Sequence, residues 1–201
     1  MYREPIEAAL TIGCLGDFLL QDSKNRINPL FTLYFMIMIT LYHGGSTAVK
    51  IPNLVLSRKY LDFGIGFYTT VNKDQAIAFA QKIMIRKENK SKSVSIYTFD
   101  AEAAEKCLNI MKFTSPDRLW LDFVHKNRSG IYSGEQYDLV IGPVANDDVF
   151  ATLIVYERGI INVEQTIEAL KIKQLFSQYV FKTEKALSFL KYEYSIEEEI
   201  H

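Results

Sequence analysis

Between residues 30 and 42 the chain carries no charge and is rich in aromatic and β-branched residues, until Gly44, Gly45 and Ser46 break the run just after His43. Its 13 residues fall short of the roughly 20 that a membrane-spanning helix needs. The composition instead favours a pleated, buried surface, so a strand ending at His43 is predicted. A second β-prone run follows in Asp62-Phe63-Gly64-Ile65-Gly66-Phe67-Tyr68-Thr69-Thr70. Apolar residues then recur at helical spacing, as Ala76, Ile77, Ala80, Ile83 and Met84, behind Asn72 or Asp74 as cap, and Gln75 completes a capping box with Asn72. From there strands and helices alternate. The pattern predicts a strand over 94–99, a short helix from Ala101 and a strand over 110–113. Next comes a helix from Pro116, capped by Ser115, to about Asn127. Another strand is expected over 137–141, then helices from Asp147 or Asp148 to about Tyr156 and over 163–173, a strand over 178–181, and a helix from Thr183 through Leu190.

Intermixed elements of these lengths point to an α+β fold with mainly antiparallel pairing. The 201 residues suit one domain, and 48% hydrophobic residues with 13% aromatics supply its core. Residues 1–35 are rich in turn formers and are expected to be an N-terminal extension of uncertain role, with the domain proper spanning 36–194 from Met36 or Met38 onward. Residues 195–201, with Glu197, Glu198 and Glu199, read as a solvated acidic tail. A net charge of −1 removes any global attraction to nucleic acid or anionic lipid, so no membrane partner is expected. Cys14 and Cys107 lie far apart outside any metal-binding spacing, which fits reduced thiols in a cytoplasmic protein. His43, His125 and His201 do not cluster, so no metal site is expected.

Familiar catalytic signatures are absent. The sequence holds no G-x-S-x-G elbow, no H-E-x-x-H helix and no phosphate-binding G-x-x-x-x-G-K loop. Gly64-Ile65-Gly66 opens like a dinucleotide fingerprint, but Thr69 stands where the third glycine belongs, and a strand follows the motif instead of preceding it. One reaction tolerates this poverty of acids, bases and metals: cleavage of the nicotinamide–ribose bond of NAD. An ordinary glycosidase must protonate its leaving group, whereas nicotinamide departs neutral from a cationic substrate. The protein need only hold NAD and steady an oxocarbenium-like ribose.

Several segments taken in order carry a resemblance. They are Leu41-Tyr42-His43-Gly44-Gly45-Ser46, Arg58, Leu61 through Thr70, Gln75-Ala76, Tyr137 through Ala145, and Gln178-Tyr179-Val180-Phe181-Lys182-Thr183 with Ala186-Leu187. Together they resemble the bacterial family called domain of unknown function 3990, over about residues 38–193. That family is thought to be similar to ADP-ribosyltransferases of the diphtheria-toxin and poly(ADP-ribose) polymerase type. The resemblance implies a split sandwich of two small, mainly antiparallel sheets with flanking helices, and a site built on His, Tyr and Glu.

By that resemblance His43 bonds the adenine-side ribose, the Gly44 backbone holds the nicotinamide amide, and Tyr68 stacks on the nicotinamide ring. Ser46, Arg58, Phe63 and Gly66 fall in the same NAD-binding set, with Arg58 placed for a pyrophosphate contact. The third catalytic position departs from the pattern, because Gln178 stands where glutamate belongs. An amide can bond a ribose hydroxyl but brings no charge to an oxocarbenium ion and cannot act as a base. Glu135 is the carboxylate that would compensate. The expected function is mono-ADP-ribosyl transfer from NAD to an unknown protein or nucleic-acid acceptor, by a toxin or effector restrained by a small antitoxin-like partner. The alternatives are a non-catalytic NAD or ADP-ribose binding module, or a weak NAD glycohydrolase. All of these require the segments around His43 and Tyr68 to face each other across one crevice.

Overall fold

A computed structural model describes residues 38–88, 90–143, 147–171 and 176–199. The expected extension over 1–35 and the start of the first apolar run lie outside the described residues. Strand β1 (Met38–Gly45) runs through the glycine pair, two residues past the expected end at His43, because Gly44 and Gly45 still pair with Val94 and Ser93, and β2 (Phe67–Thr70) follows the glycine segment. Helix α1 (Lys73–Arg86) starts at Asn72, whose side chain accepts from the Gln75 N–H, so the Asn72 cap fixes the start of the helix. The return half of the expected capping box is replaced by Thr70, whose hydroxyl accepts from the Asn72 N–H at 3.1 Å and donates to Gln75 Oε1 at 2.6 Å. Strand β3 (Ser91–Asp100) runs directly into α2 (Ala101–Cys107), capped by Asp100. After β4 (Ile110–Lys112), α3 (Arg118–Arg128) begins two residues later than Pro116 allows, because the Asp117 carboxylate captures the Trp120 N–H at 2.9 Å and takes the cap from Ser115. The chain continues through β5 (Leu139–Pro143), α4 (Asp147–Glu157), α5 (Val163–Lys171), β6 (Ser177–Phe181) and α6 (Glu184–Leu187) to β7 (Leu190–Glu199).

The fold is mixed α and β, with seven strands in one hydrogen-bonded sheet ordered β4-β5-β6-β2-β1-β3-β7. Every neighbouring pair is antiparallel except β4 with β5. The expectation of two separate sheets is therefore corrected in one respect: the halves are joined. The join is narrow. β1 pairs with β3 over eight residues but with β2 only at Tyr42↔Thr70, beyond which β1 and β2 part. The acidic end is not a free tail over its described part. Residues up to Glu199 continue β7 and pair with β3, and Lys92 meets Glu198 at 2.9 Å.

Strand alternation distributes the core. One face carries Leu41, Phe67, Tyr97, Phe99, Leu139 and Phe181, covered by Ala104 of α2 and by Ala186 and Leu187 of α6. The opposite face has two patches. Val94 and Ile96 pack on Ala76 and Ala80 of α1, while Val140 and Val180 pack under Trp120, Leu121, Val124, Leu153 and Leu170 from α3, α4 and α5. Trp120 is fully buried, and its indole N–H donates to the Pro143 carbonyl at 3.2 Å. Among the described residues no helix is long and apolar enough to cross a membrane.

Candidate functional site

The parting of β1 and β2 makes a fork in the sheet, and His43 stands in it. Its Nδ1 lies 2.8 Å from the Tyr68 carbonyl across the fork, and its ring stacks on Phe67 with centroids 4.5 Å apart. A carbonyl oxygen only accepts, so Nδ1 carries the proton and donates. Burial lowers the pKa of His43 more than this bond raises it, so the imidazole is neutral. Nε2 is left as a lone-pair acceptor. A Cβ at Gly45 would sit 3.6 Å from Nε2, so the glycine keeps a side chain off that flank. Gly44 serves packing: a Cβ there would meet the Ala76 carbonyl oxygen at 2.1 Å, and its absence lets α1 lie directly on β1. With the ladder stopped at Tyr42↔Thr70, the edge of β1 facing β2 has no strand partner from His43 to Gly45 among the described residues.

Tyr68 is placed otherwise than expected. The Tyr42↔Thr70 pair puts Tyr42, Thr70 and Tyr68 on one face and His43 on the other. The Tyr68 ring joins the core under α3, while its hydroxyl donates to the Gly64 carbonyl at 2.7 Å and accepts from the Phe63 N–H at 3.1 Å. Burial, with the Asp62 charge behind it, pushes the phenol pKa upward, so the group is a neutral bracket on the glycine turn. The side chains of His43 and Tyr68 do not face each other across a crevice. They meet through the Tyr68 backbone.

Gln178 lies opposite Thr70 on one side and Gly142 on the other, in the same row as the single β1–β2 pair. It is only 4% exposed, and its Nε2 has no hydrogen-bond partner among the described residues. An orphaned buried donor of this kind costs about 1–3 kcal/mol. Glu135 does not reach this row. Its carboxylate bonds Asn109 at 2.9 Å and the Tyr137 hydroxyl at 3.3 Å. The strand it precedes is three places from β1 in the sheet, about 14 Å at ~4.8 Å per strand.

The remaining expected residues scatter. Phe63 is fully buried against Phe123 and Phe113 and is core. Gly66 is clamped by the Ser57 hydroxyl, 2.9 Å from both its N–H and its carbonyl. The Ser46 carbonyl accepts from Ser91 at 3.0 Å. Arg58 is exposed.

Sequence reasoning missed the clamp behind the turn. Arg128 meets Asp62 at 3.1 Å and Glu157 at 3.0 Å, with its guanidinium 4.6 Å over the Phe150 ring. Burial still raises the Asp62 pKa against this attraction. Lys182 Nζ donates to the Phe63 carbonyl at 2.5 Å, and burial lowers its pKa. No local pattern couples positions 62, 128 and 182, which meet only through the fold.

Two concavities lie elsewhere. One of about 140 Å³ is lined by Ile39, Phe99, Glu105, Lys112, Ile141 and Tyr179. The other, about 340 Å³, lies between the glycine turn and the end of α3. Neither takes in His43, Tyr68 or Gln178. Among the described residues no group of three or more His, Cys, Asp or Glu gathers as a metal site would require.

No curated protein and no solved structure matches the chain. A family model described as protein of unknown function (DUF3990) does match, over residues 39–192, from β1 through every element around the fork to the opening of β7, and the chain belongs to that family.

Proposed function

We propose that the protein binds NAD in the fork where the β1 and β2 segments part, with the His43 side chain and strand backbone as its walls in place of the expected facing pair of His43 and Tyr68 side chains, and passes its ADP-ribose to a macromolecular acceptor. The observation that carries this reading is His43, fixed by the Tyr68 carbonyl as a neutral imidazole with its Nε2 lone pair beside Gly45. A ribose hydroxyl donates to such an acceptor, and the free edge of β1 at Gly44 and Gly45 offers peptide N–H and C=O groups to a carboxamide. In this reading Tyr68 contributes by holding the glycine turn through its hydroxyl. In the reaction the bond between ribose C1′ and the nicotinamide nitrogen breaks, with the electron pair leaving on a neutral nicotinamide. The acceptor's nucleophile bonds C1′ and gives its proton to solvent. The chain's contribution is orientation and hydrogen bonding to the ribose, which stabilises the transition state without an acid.

Gln178 favours a second reading, a binding module without chemistry. Its amide carries no charge to set against an oxocarbenium ion, and Glu135 is engaged elsewhere. NAD labelled in the adenylate half, incubated with the protein with and without cell extract, separates the readings. Nicotinamide release with labelled protein or nucleic acid is the expected result. Release without a labelled acceptor means hydrolysis, and binding with neither product means the module. No binding at all removes NAD from the account.

A further inference from the structure

The 340 Å³ cavity is walled by segments that are far apart in sequence: the 59–65 turn, the end of α3 with Gly130 and Tyr132, residues 136–137, and Lys182 with Thr183. Its lining is chemically one-sided. Lys59 and Lys182 bring two positive charges, Asn127 and Gln136 bring amides, and no carboxylate lines it among the described residues. The acids that adjoin the lining in sequence are committed elsewhere: Asp62 pairs with Arg128 at 3.1 Å. Asp138 accepts from Thr183 at 2.8 Å and from the Asn109 N–H at 3.0 Å, and Glu135 holds Asn109 and Tyr137. Lys182 uses one donor on the Phe63 carbonyl and has no carboxylate in ion-pair range among the described residues. Lys182 is half-buried, and a partly desolvated cation without a counter-charge favours an anion joining it.

The aromatic part of the lining is built as deliberately. Tyr132 and Tyr137 turn their hydroxyls to Glu135, which leaves their rings as wall. Tyr60 sits at a φ of 62°, a left-handed conformation a non-glycine residue holds only when its surroundings fix it. Its ring lies where a Cβ on Gly130 would be, 2.4 Å from the nearest ring carbon, and Gly130 itself has a φ of 72°. Backbone strain and a missing side chain together set one ring at the mouth. Tyr60 is nonetheless 63% exposed, so little of that ring is packed in core.

From this pairing of two uncompensated lysines with a tyrosine-walled cavity we infer a second binding site, for a small organic phosphate carrying a flat ring, of the nucleoside monophosphate class. Lysines bind phosphate as point charges, and tyrosine rings offer faces to a base. The volume stands at the low end of the range for small-molecule sites, enough for one ring and one phosphate. The site is separate from the fork and does not depend on NAD binding there.

Titration of the full-length protein with AMP, adenosine and inorganic phosphate tests the inference, using calorimetry for affinity. AMP is expected to bind at least about tenfold more tightly than either fragment, since each engages half of the lining. K59M should weaken AMP about tenfold without changing the melting temperature, because Lys59 is exposed and K59R should retain binding. K182M should weaken it as well; should that variant unfold through loss of the Phe63 contact, K59M decides alone. Absence of AMP binding, equal affinity for phosphate and AMP, or an unchanged affinity in folded K59M each overturns the site.

Discussion

A proton added to His43 must enter a partly desolvated position whose carbonyl bond is already made by the neutral ring. Its pKa is depressed in the folded protein, so the unfolded chain binds more protons as pH falls below the ordinary value of 6.5. His43 therefore costs no stability at pH 8. Below 6.5 the folded state loses up to about 1.4 kcal/mol per pH unit until the folded pKa is reached. Urea midpoints between pH 7.5 and 5 should show this fall for the wild type and a shallower one for H43F, which keeps a ring on Phe67 but has nothing to titrate; parallel slopes would mean the imidazole is not the source. Gln178 gives a second prediction. Its unpaired Nε2 is a cost in the free protein, so Q178M should raise stability by about 1 kcal/mol in chemical denaturation while weakening NAD. A loss of stability instead would mean the amide has a partner that holds the fold. Of these residues the sequence makes His43 legible, because Gly-Gly-Ser marks the strand end. It does not make the orientation of Tyr68 legible, since a period of two means one step of register decides the face, and that register is set by distant partners, four pairs with β6 and one with β1 at Tyr42↔Thr70.

Elements with local start signals were readable, and those held by distant partners were not. The cap of α1 at Asn72 follows from neighbours three residues away. The shift of α3 to Asp117 is a contest between two adjacent caps, settled by a carboxylate reaching Trp120. β7 was hidden, because a run ending in three glutamates reads as solvated until β3 lies beside it with Lys92 against Glu198. The contact of α1 with β1 depends on Gly44. In G44A the new methyl would meet a helix backbone carbonyl, which cannot rotate away, so a loss of about 1–3 kcal/mol is expected from overpacking. Thermal or urea unfolding of G44A within about 0.5 kcal/mol of wild type would show that the helix shifts freely, and the fork with it.

At the scale of the molecule, a mixed α and β fold with mostly antiparallel pairing was legible from alternating patterns, while the order of strands in the sheet and the joining of both halves into one sheet were not. That join is one residue pair wide, and no periodicity distinguishes a pair formed from a pair missed. The opening beyond it places His43, the free edge of β1 and the row of Gln178 within the same stretch of sheet. The glycine turn behind them is tied by Tyr68, Lys182 and the Asp62–Arg128 pair. Calorimetric titration of NAD into the full chain and into H43F is the most direct test of the fork as its binding place. The account predicts binding by the wild type and at least a tenfold loss in a folded H43F, about 1.4 kcal/mol for the lost ribose bond. Equal affinity in the two proteins, or no heat of NAD binding in either, would contradict it.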